Sequence, residues 1–410
     1  MYIDNICPQS ECTGCSACFS ACKKHAITMV TDQWGYLYPS INQDLCIGCN
    51  ACKKVCPQIN LVEKREPKKA YAAYHKIKSE RNTCASGGMA TALSKLILSE
   101  GGVVYGVAQK NCMNIGHVRI DKIEDVELLK GSKYVHSSTT GIFSTVKEDL
   151  KVDKKVLFIG TPCQVAGLLA FIGPRDLSNL YTIDLCCHGV PSYQFLKDNL
   201  NLLKAKKKIN LPLESIKVSF RDKKVVSTDS LRILYGFYSD SIADKSRIYS
   251  AVHPDDLYIS GFLSGLYFRE NCFACNYAEH KRVSDLTLAD FWGLESSLDK
   301  EMDADKGVSC ILVNSQKGAD LLSKIDNVQM EERPVEEAIK GNKQFKAPYP
   351  KHKSYEAFKK DYLEYGFEKA SRKHLASYIR FHKRRQVLKP LINLAKSIKF
   401  VDTLYRKIFR

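Results

Sequence analysis

Eight of the nine cysteines in the first sixty residues constrain this chain more than anything else in it. They form the runs Cys12-x2-Cys15-x2-Cys18-x3-Cys22 and Cys46-x2-Cys49-x2-Cys52-x3-Cys56, the second followed by Pro57. Three thiols at two-residue spacing wrap three corners of an iron–sulfur cube, and the fourth of each run crosses to the other cube. The pattern assigns Cys12, Cys15, Cys18 and Cys56 to one 4Fe-4S cluster, and Cys22, Cys46, Cys49 and Cys52 to a second. Zinc knuckles or disulfides are the bland alternative. Zinc sites, however, draw their ligands as two pairs rather than three at equal spacing and a fourth.

The spacing is that of a bacterial two-cluster ferredoxin, so residues 1–60 read as a small ferredoxin-like domain. A chain of 410 residues has room for two or three domains with cores of their own. Its seventeen cysteines suggest metal sites, because disulfide-dense scaffolds are short and secreted. The first ten residues hold no apolar signal run, and no stretch reaches the roughly 18 to 20 apolar residues of a membrane span. The expected location is a reducing cytoplasm. The net charge of +17 is uneven: Lys369 to Arg410 carries thirteen Lys and Arg against one acid, Asp402.

Past a charged linker at 61–67 the pattern alternates. Strand-like runs at 70–78, 103–108, 155–159, 181–185 and 310–314 are each followed by a turn, and helical stretches run to Leu98, to Phe171 and from Tyr193. Strand, turn and helix in succession argue an α/β or α+β body, in an amino-terminal part at 68–150 and a carboxy-terminal part at 151–345, with a basic helical tail at 346–410.

Cys163 and Cys187 sit just past the carboxyl ends of expected strands, where open α/β sheets gather ligands. With the pair Cys272-Phe-Ala-Cys275 they make four soft ligands, enough for a third 4Fe-4S cluster or for zinc. The alternative is that they are small buried apolar residues. Cys187 is preferred to Cys186 because residues alternate faces along a strand. Cys7, Cys84, Cys112 and Cys310 read as core or incidental. Ser86-Gly87-Gly88 opens a helix and could cradle a pyrophosphate, although such triplets cap many helices that bind nothing. Lys133, in Gly131-Ser-Lys-Tyr-Val135, could add a phosphate contact, with a plain surface turn as the simpler reading. Neither GxGxxG nor GxxxxGK[ST] occurs. Clusters pass single electrons and most organic reductions need two, so a flavin is the cofactor that would convert one into the other.

Taken in order, these segments resemble the family of coenzyme F420 hydrogenase and dehydrogenase beta subunits. The likeness runs from Cys12 to about Phe358. It is carried by the two cysteine runs, Ala85-Ser-Gly-Gly-Met-Ala-Thr-Ala-Leu93, Lys130-Gly-Ser-Lys-Tyr-Val135 and Phe158-Ile-Gly-Thr-Pro-Cys-Gln-Val-Ala-Gly-Leu168. It continues through Asp184-Leu-Cys-Cys-His-Gly-Val-Pro-Ser192, Ser219-Phe-Arg-Asp-Lys223, Arg269-Glu-Asn-Cys-Phe-Ala-Cys275, Asp285-Leu-Thr-Leu-Ala-Asp-Phe-Trp-Gly293 and Lys306-Gly-Val-Ser309. The resemblance implies FAD, with Ser86, Gly87, Gly88, Lys133 and Tyr134 at its phosphates or ring. It also implies a third cluster on Cys163, Cys187, Cys272 and Cys275. The expected architecture is a bacterial-ferredoxin-like domain fused to a mixed-sheet flavin-binding α+β or α/β body. Related branches act on other substrates, among them chlorophyll-pathway reductases and proteins attributed to surface-polysaccharide gene sets.

His188 could donate a proton or bond the flavin, or simply pack in its turn. Arg221 and Arg269 could clamp an acidic substrate, solvated arginines being the commoner outcome. Asp290-Phe-Trp-Gly293 reads as a packed turn with Trp292 in the core. From His374 onward, Leu388, Leu391, Ile392, Ala395, Ile398 and Phe400 to Leu404 punctuate the basic tail at near-helical spacing, and Pro390 suits a helix start. Such a helix could lie on the inner face of an anionic membrane, meet an acidic ferredoxin, or pack on the body. No nucleic-acid motif accompanies the charge. The expected function is an iron–sulfur flavoprotein oxidoreductase that takes electrons from a ferredoxin-type donor to an organic substrate, either coenzyme F420 or a polysaccharide-pathway intermediate. The alternatives are a non-catalytic electron-transfer subunit of a larger complex, and a body whose clusters are only structural staples.

Overall fold

The computed structural model describes residues 5–112, 114–174, 177–221, 232–237, 247–294, 302–303 and 306–396, with the side chains of 232–237, 247–252 and 389–396 excepted. In the first sixty residues, β1 (Ile27–Thr31) and β2 (Leu37–Ile41) form an antiparallel pair with Ile27 opposite Ile41. Each cysteine run winds into a short helix, α1 (Ala17–Ala21) and α2 (Ala51–Lys54). The two runs repeat one backbone path. Gly14 and Gly48 have φ of 67° and 68°, and Ser16 and Asn50 have 62° and 60°. Left-handed conformation at the x2 glycine lets three successive thiols turn toward one centre, a path that a side chain at that position would strain.

The body contains α3 (Lys78–Thr83), α4 (Met89–Ser99), α5 (Val126–Leu129), α6 (Ile142–Lys151), α7 (Pro162–Ile172), α8 (Tyr193–Lys207), α9 (Leu257–Leu263), α10 (Gln316–Leu322), α11 (Val335–Gly341) and α12 (Tyr355–Lys396). Its main sheet has eight strands: β13 (Val328–Arg333), β3 (Lys69–His75), β12 (Ser309–Val313), β11 (Leu286–Asp290), β7 (Leu180–Leu185), β6 (Val156–Gly160), β4 (Val103–Asn111) and β5 (Asn114–Ile120), in that order. The central four, β11, β7, β6 and β4, are parallel; the outer strands are antiparallel. This is a mixed α/β sheet. A second sheet orders β10 (Arg247–Val252), β9 (Arg232–Phe237) and β8 (Ile216–Ser219).

Both faces of the central strands are covered, which is why they read as unbroken apolar runs. Val103, Tyr105, Val156 and Phe158 face a core with α6, α7, Cys15 and Ala17. Their neighbours Val104 and Leu157 face the opposite core, with α4 and α10. A separate core joins α8, α9 and the first half of α12 through Phe195, Tyr267, Phe358 and Phe367.

The expected strands lie in the sheet close to their predicted bounds, and β5, β11 and β13 join them. Trp292 corrects the expectation of a core residue: it is 39% exposed, and Phe291 beside it is buried instead. The tail departs from expectation as well. Its helix starts at Tyr355, breaks at Gly366 (φ 77°) and runs through Pro390 rather than starting there. Leu375 is buried, His374 meets Asp361 at 2.7 Å, and the Tyr378 hydroxyl lies 3.0 Å from His253. Of the apolar tail positions only Leu388 has a described side chain, and it is exposed. The side chains of Leu391, Ile392 and Ala395, and Ile398 and Phe400 to Leu404 entirely, lie outside the described residues, as do Asp222 and Lys223. Among the described residues no helix is long and apolar enough to cross a membrane.

Candidate iron–sulfur relay

Cys12, Cys15, Cys18 and Cys56 line one small cavity, closed by Met29, Pro39 and Pro57. These are the four thiols that crossover spacing groups together, so the donor set fits a cube. Cys7, expected to be core or incidental, packs against the core of Ile6, Ile27, Cys52 and Cys56 and also lines this cavity. Its thiol hydrogen-bonds Cys12 and Cys56 and is pushed far up by them, whereas both partners are pulled down, Cys12 to about 6 and Cys56 to about 7. Burial lifts Cys15 to about 11.

The other set is the more exposed of the two. Cys49 is exposed, on a loop where Leu45 and Ile47 are 48% and 63% exposed. Burial raises the Cys52 thiol, and Cys49 and Cys22 sit close enough to raise it further. The Ala26 amide donates to the Cys22 sulfur at 3.3 Å.

The third group of thiols is assembled by the sheet. β6 and β7 pair in parallel with Gly160 opposite Asp184, so Cys163 and Cys187, each three residues on, leave adjacent strand ends in step. Thr161 and Gln164 form a capping box and Pro162 takes the first helical position, which fixes Cys163 in the first turn of α7. The segment 268–275 is brought alongside by the bridge between Pro191 and Phe268 and by the Arg269 amide, which donates to the Val190 carbonyl at 3.0 Å. Burial, then the negative charge of the neighbouring thiols, raises Cys163, Cys187 and Cys272, with Cys187 reaching about 11. Burial also raises Cys275. The four thiols thus lie within electrostatic reach of one another. Among the described residues no three such ligands stand close enough to hold a single ion. Cys186 packs elsewhere, against the core that contains Cys310.

Arg282 locks this arrangement. It donates to Asp184 at 2.9 and 3.2 Å with both side chains buried, and to the carbonyls of Tyr277 and Glu279 at 2.9 Å each. One guanidinium thereby ties the chain after Cys275 to the strand end before Cys187. Removing it strands a buried carboxylate, a loss of about 3–5 kcal/mol.

The inner set and the third set share a wall. A Cβ on Gly167 would lie 2.8 Å from the Cys15 sulfur, and Gly167 stands one helical turn from Cys163 on the same face of α7. Tyr277 fills the remaining gap: Cys163, Cys15, Cys275 and Cys56 all act on its phenol, whose hydroxyl donates to the Pro57 carbonyl at 3.0 Å. The ferredoxin-like segment is held there by Thr139, donating to the Cys15 carbonyl at 2.7 Å, by Tyr36 to the Tyr267 carbonyl at 2.8 Å and by Ser192 to the Trp34 carbonyl at 2.6 Å. No sequence signal marks Tyr277. Gly167 could have been flagged, since glycine inside a helix costs about 1 kcal/mol relative to alanine.

The residues expected at a flavin are placed differently. The Ser86 hydroxyl donates to the Val308 carbonyl at 3.0 Å, and the Gly87 amide to the Ser309 hydroxyl at 3.0 Å. A Cβ on Gly87 would strike the Ala73 carbonyl at 2.2 Å, so this glycine serves contact with β3. Gly88 is the buried residue before α4, with φ 93°. Lys133 donates to the carbonyls of Leu129 and Lys130 at 2.8 Å each, capping α5, and burial draws it down to about 7. The Tyr134 ring stacks on Phe262 at 4.7 Å and its phenol meets Ser132 and Arg221. As placed, these residues form a structural joint and do not fit a phosphate cradle.

His188 turns into an aromatic nest of Phe262, Phe268 and Tyr349, with Gln344 2.9 Å from its Nδ1. Burial draws it down to about 4, so it is neutral at pH 7. Arg221 is no free clamp either, since it pairs with Asp290 at 2.8 Å. Arg269 is fully buried.

Residues 153–338 match the family described as the carboxy terminus of the coenzyme F420 hydrogenase/dehydrogenase beta subunit, and residues 11–60 match the 4Fe-4S dicluster domain. No curated protein matches the chain. Among solved structures, a chain of the xenon-derivatised F420-reducing NiFe hydrogenase complex from Methanosarcina barkeri is similar at 17% identity and a TM-score of 0.43, over 68% of this chain and 91% of that one. The chain therefore joins a 4Fe-4S dicluster domain, residues 11–60, to a domain of the coenzyme F420 hydrogenase/dehydrogenase beta-subunit carboxy-terminal family, residues 153–338.

Proposed function

We propose that the protein is an iron–sulfur oxidoreductase that moves electrons between a small carrier, such as a ferredoxin, and an organic acceptor. Clusters held on the outer, inner and third thiol sets would supply one-electron transfer. The observation that carries the reading is the shared wall between Cys15 and the third set, with Gly167 and Tyr277 in the gap. The chain's own residues keep that passage short and dry: the bare Gly167 admits the Cys15 sulfur, Tyr277 excludes water, and Arg282 fixes Cys187 and Cys275 in place. Coenzyme F420 is one candidate acceptor, suggested by the family description, and a polysaccharide-pathway intermediate is another.

The flavin implied by the family resemblance has no fitting donors among Ser86, Gly87, Lys133 and Tyr134, so no step is assigned to it. Their engagement, with His188 pinned among aromatic rings, favours a second reading in which the chain is the electron-transfer subunit of a larger complex. Iron, acid-labile sulfide and flavin content of the anaerobically purified chain test both. About twelve irons, as three 4Fe-4S clusters require, support the third site, and eight would remove it. One bound flavin with reduction by the chain alone favours the enzyme. No flavin, and activity only with added subunits, favours the complex.

A further inference from the structure

Arg269 is the largest fully buried side chain among the described residues. Its Nε donates to the Cys12 carbonyl at 2.6 Å, and the guanidinium carbon sits 4.0 Å from the centre of the Tyr38 ring. Neither terminal nitrogen meets an oxygen or nitrogen acceptor, and the side chain that bonds the guanidinium is the Cys12 thiol, one of the four inner sulfurs. A buried cation without a full counter-charge is strongly unfavourable, so a group of opposite charge has to complete this site. What lies nearest the guanidinium is Cys12 of the inner thiol set, with the rings of Tyr36 and Tyr38. Gly14 lines the inner cavity, and a Cβ there would come within 3.1 Å of one of the nitrogens, so the bare glycine leaves room for the fork beside this cavity. Cys12 of the inner set and Cys272 of the third set both feel the charge.

A cube on four thiolates is net negative and gains one more negative charge on reduction. We propose that Arg269 is the fixed counter-charge of the inner cluster, a positioning residue that stabilises its reduced form and so draws electrons inward from the more exposed outer set. Buried and fixed, this charge escapes the screening that weakens surface lysines. The inference rests on the assignment of Cys12, Cys15, Cys18 and Cys56 to that cluster.

The test is an EPR-monitored redox titration of the full chain carrying Arg269→Gln, with iron content measured alongside. The expected result is unchanged iron and a tenfold or greater loss in the reduction equilibrium of one dicluster centre. That loss is a shift of at least about 59 mV to lower potential for a one-electron couple. The other centre stays put, and Arg269→Lys shows a smaller shift. Unchanged potentials at full iron content overturn the proposal. Should Arg269→Gln lose iron, wild-type chain labelled with 15N in its arginine guanidino groups decides. A 15N coupling at one reduced cluster supports the role, and its absence overturns it. Cys56→Ala separates the underlying assignment from the inference: if it abolishes the signal that did not shift, the ligand grouping fails while the counter-charge role passes to the other centre.

Discussion

Cys7 shows how a single thiol can belong to a cluster site without the spacing of a ligand. It stands five residues ahead of Cys12, outside both runs, and only the fold brings it to Cys12 and Cys56. Lying outside both runs and hydrogen-bonded to Cys12 and Cys56, it is placed as a partner of the expected ligand sulfurs. Hydrogen bonds to cluster sulfurs are one of the levers on potential. Cys7→Ala is expected to keep the full complement of iron and sulfide, whereas Cys56→Ala loses about four irons, one cube's worth. Chemical iron and sulfide determination on the two variants checks this, and equal losses would contradict it. The dicluster domain was legible because cube geometry dictates the intervals of its thiols. Cys7, Tyr277 and Arg282 were not, since each acts across long sequence separations that no interval encodes.

At the scale of elements, α7 does two jobs. Its capped first turn presents Cys163 and its next turn abuts Cys15. In an isolated helix Gly167→Ala would gain about 1 kcal/mol. Here the added methyl meets sulfur at 2.8 Å and the Cys15 Cβ at 3.0 Å. We expect overpacking to win, with a net loss of about 1–3 kcal/mol, read by thermal melting together with a fall in iron content. A stabilised variant with full iron would refute the close wall. For α12, ending the chain after Arg372 removes buried Leu375 and the contacts of His374 and Tyr378, and should lower the melting temperature measurably. The elements most legible in the sequence were β4, β6, β7 and β12, whose two buried faces write themselves as apolar runs. The edge strand β13, Val-Gln-Met-Glu-Glu-Arg, carries no such run and is defined by its pairing with β3. β11 is five residues long and ends on Asp290, so its apolar stretch is short, and the aromatic pair after it gave no sign that Phe291 rather than Trp292 would be buried.

For the molecule as a whole, stability should fall in mild acid. Burial holds His117 and His253 down to about 4 in the folded protein, against an ordinary value near 6.5 in the unfolded chain. Between those limits only the unfolded chain takes up the protons, so stability rises with pH in that window and is lost as pH falls from 6.5 toward 4. Each histidine contributes a slope of up to about 1.4 kcal/mol per pH unit. Melting temperatures at about pH 7 and about pH 5, with iron content verified at both, check the sign, and a flat profile would contradict it. The two thiol sets of the dicluster domain also differ in what can reach them. The loop of Cys46 and Cys49 faces solvent, while Cys15 is walled in by α7. In the proposed relay, oxygen and peroxide would therefore meet a cube on the outer set first, and its loss would cut the buried sets off from a carrier outside. The exposed site would then act as a fuse for the buried ones.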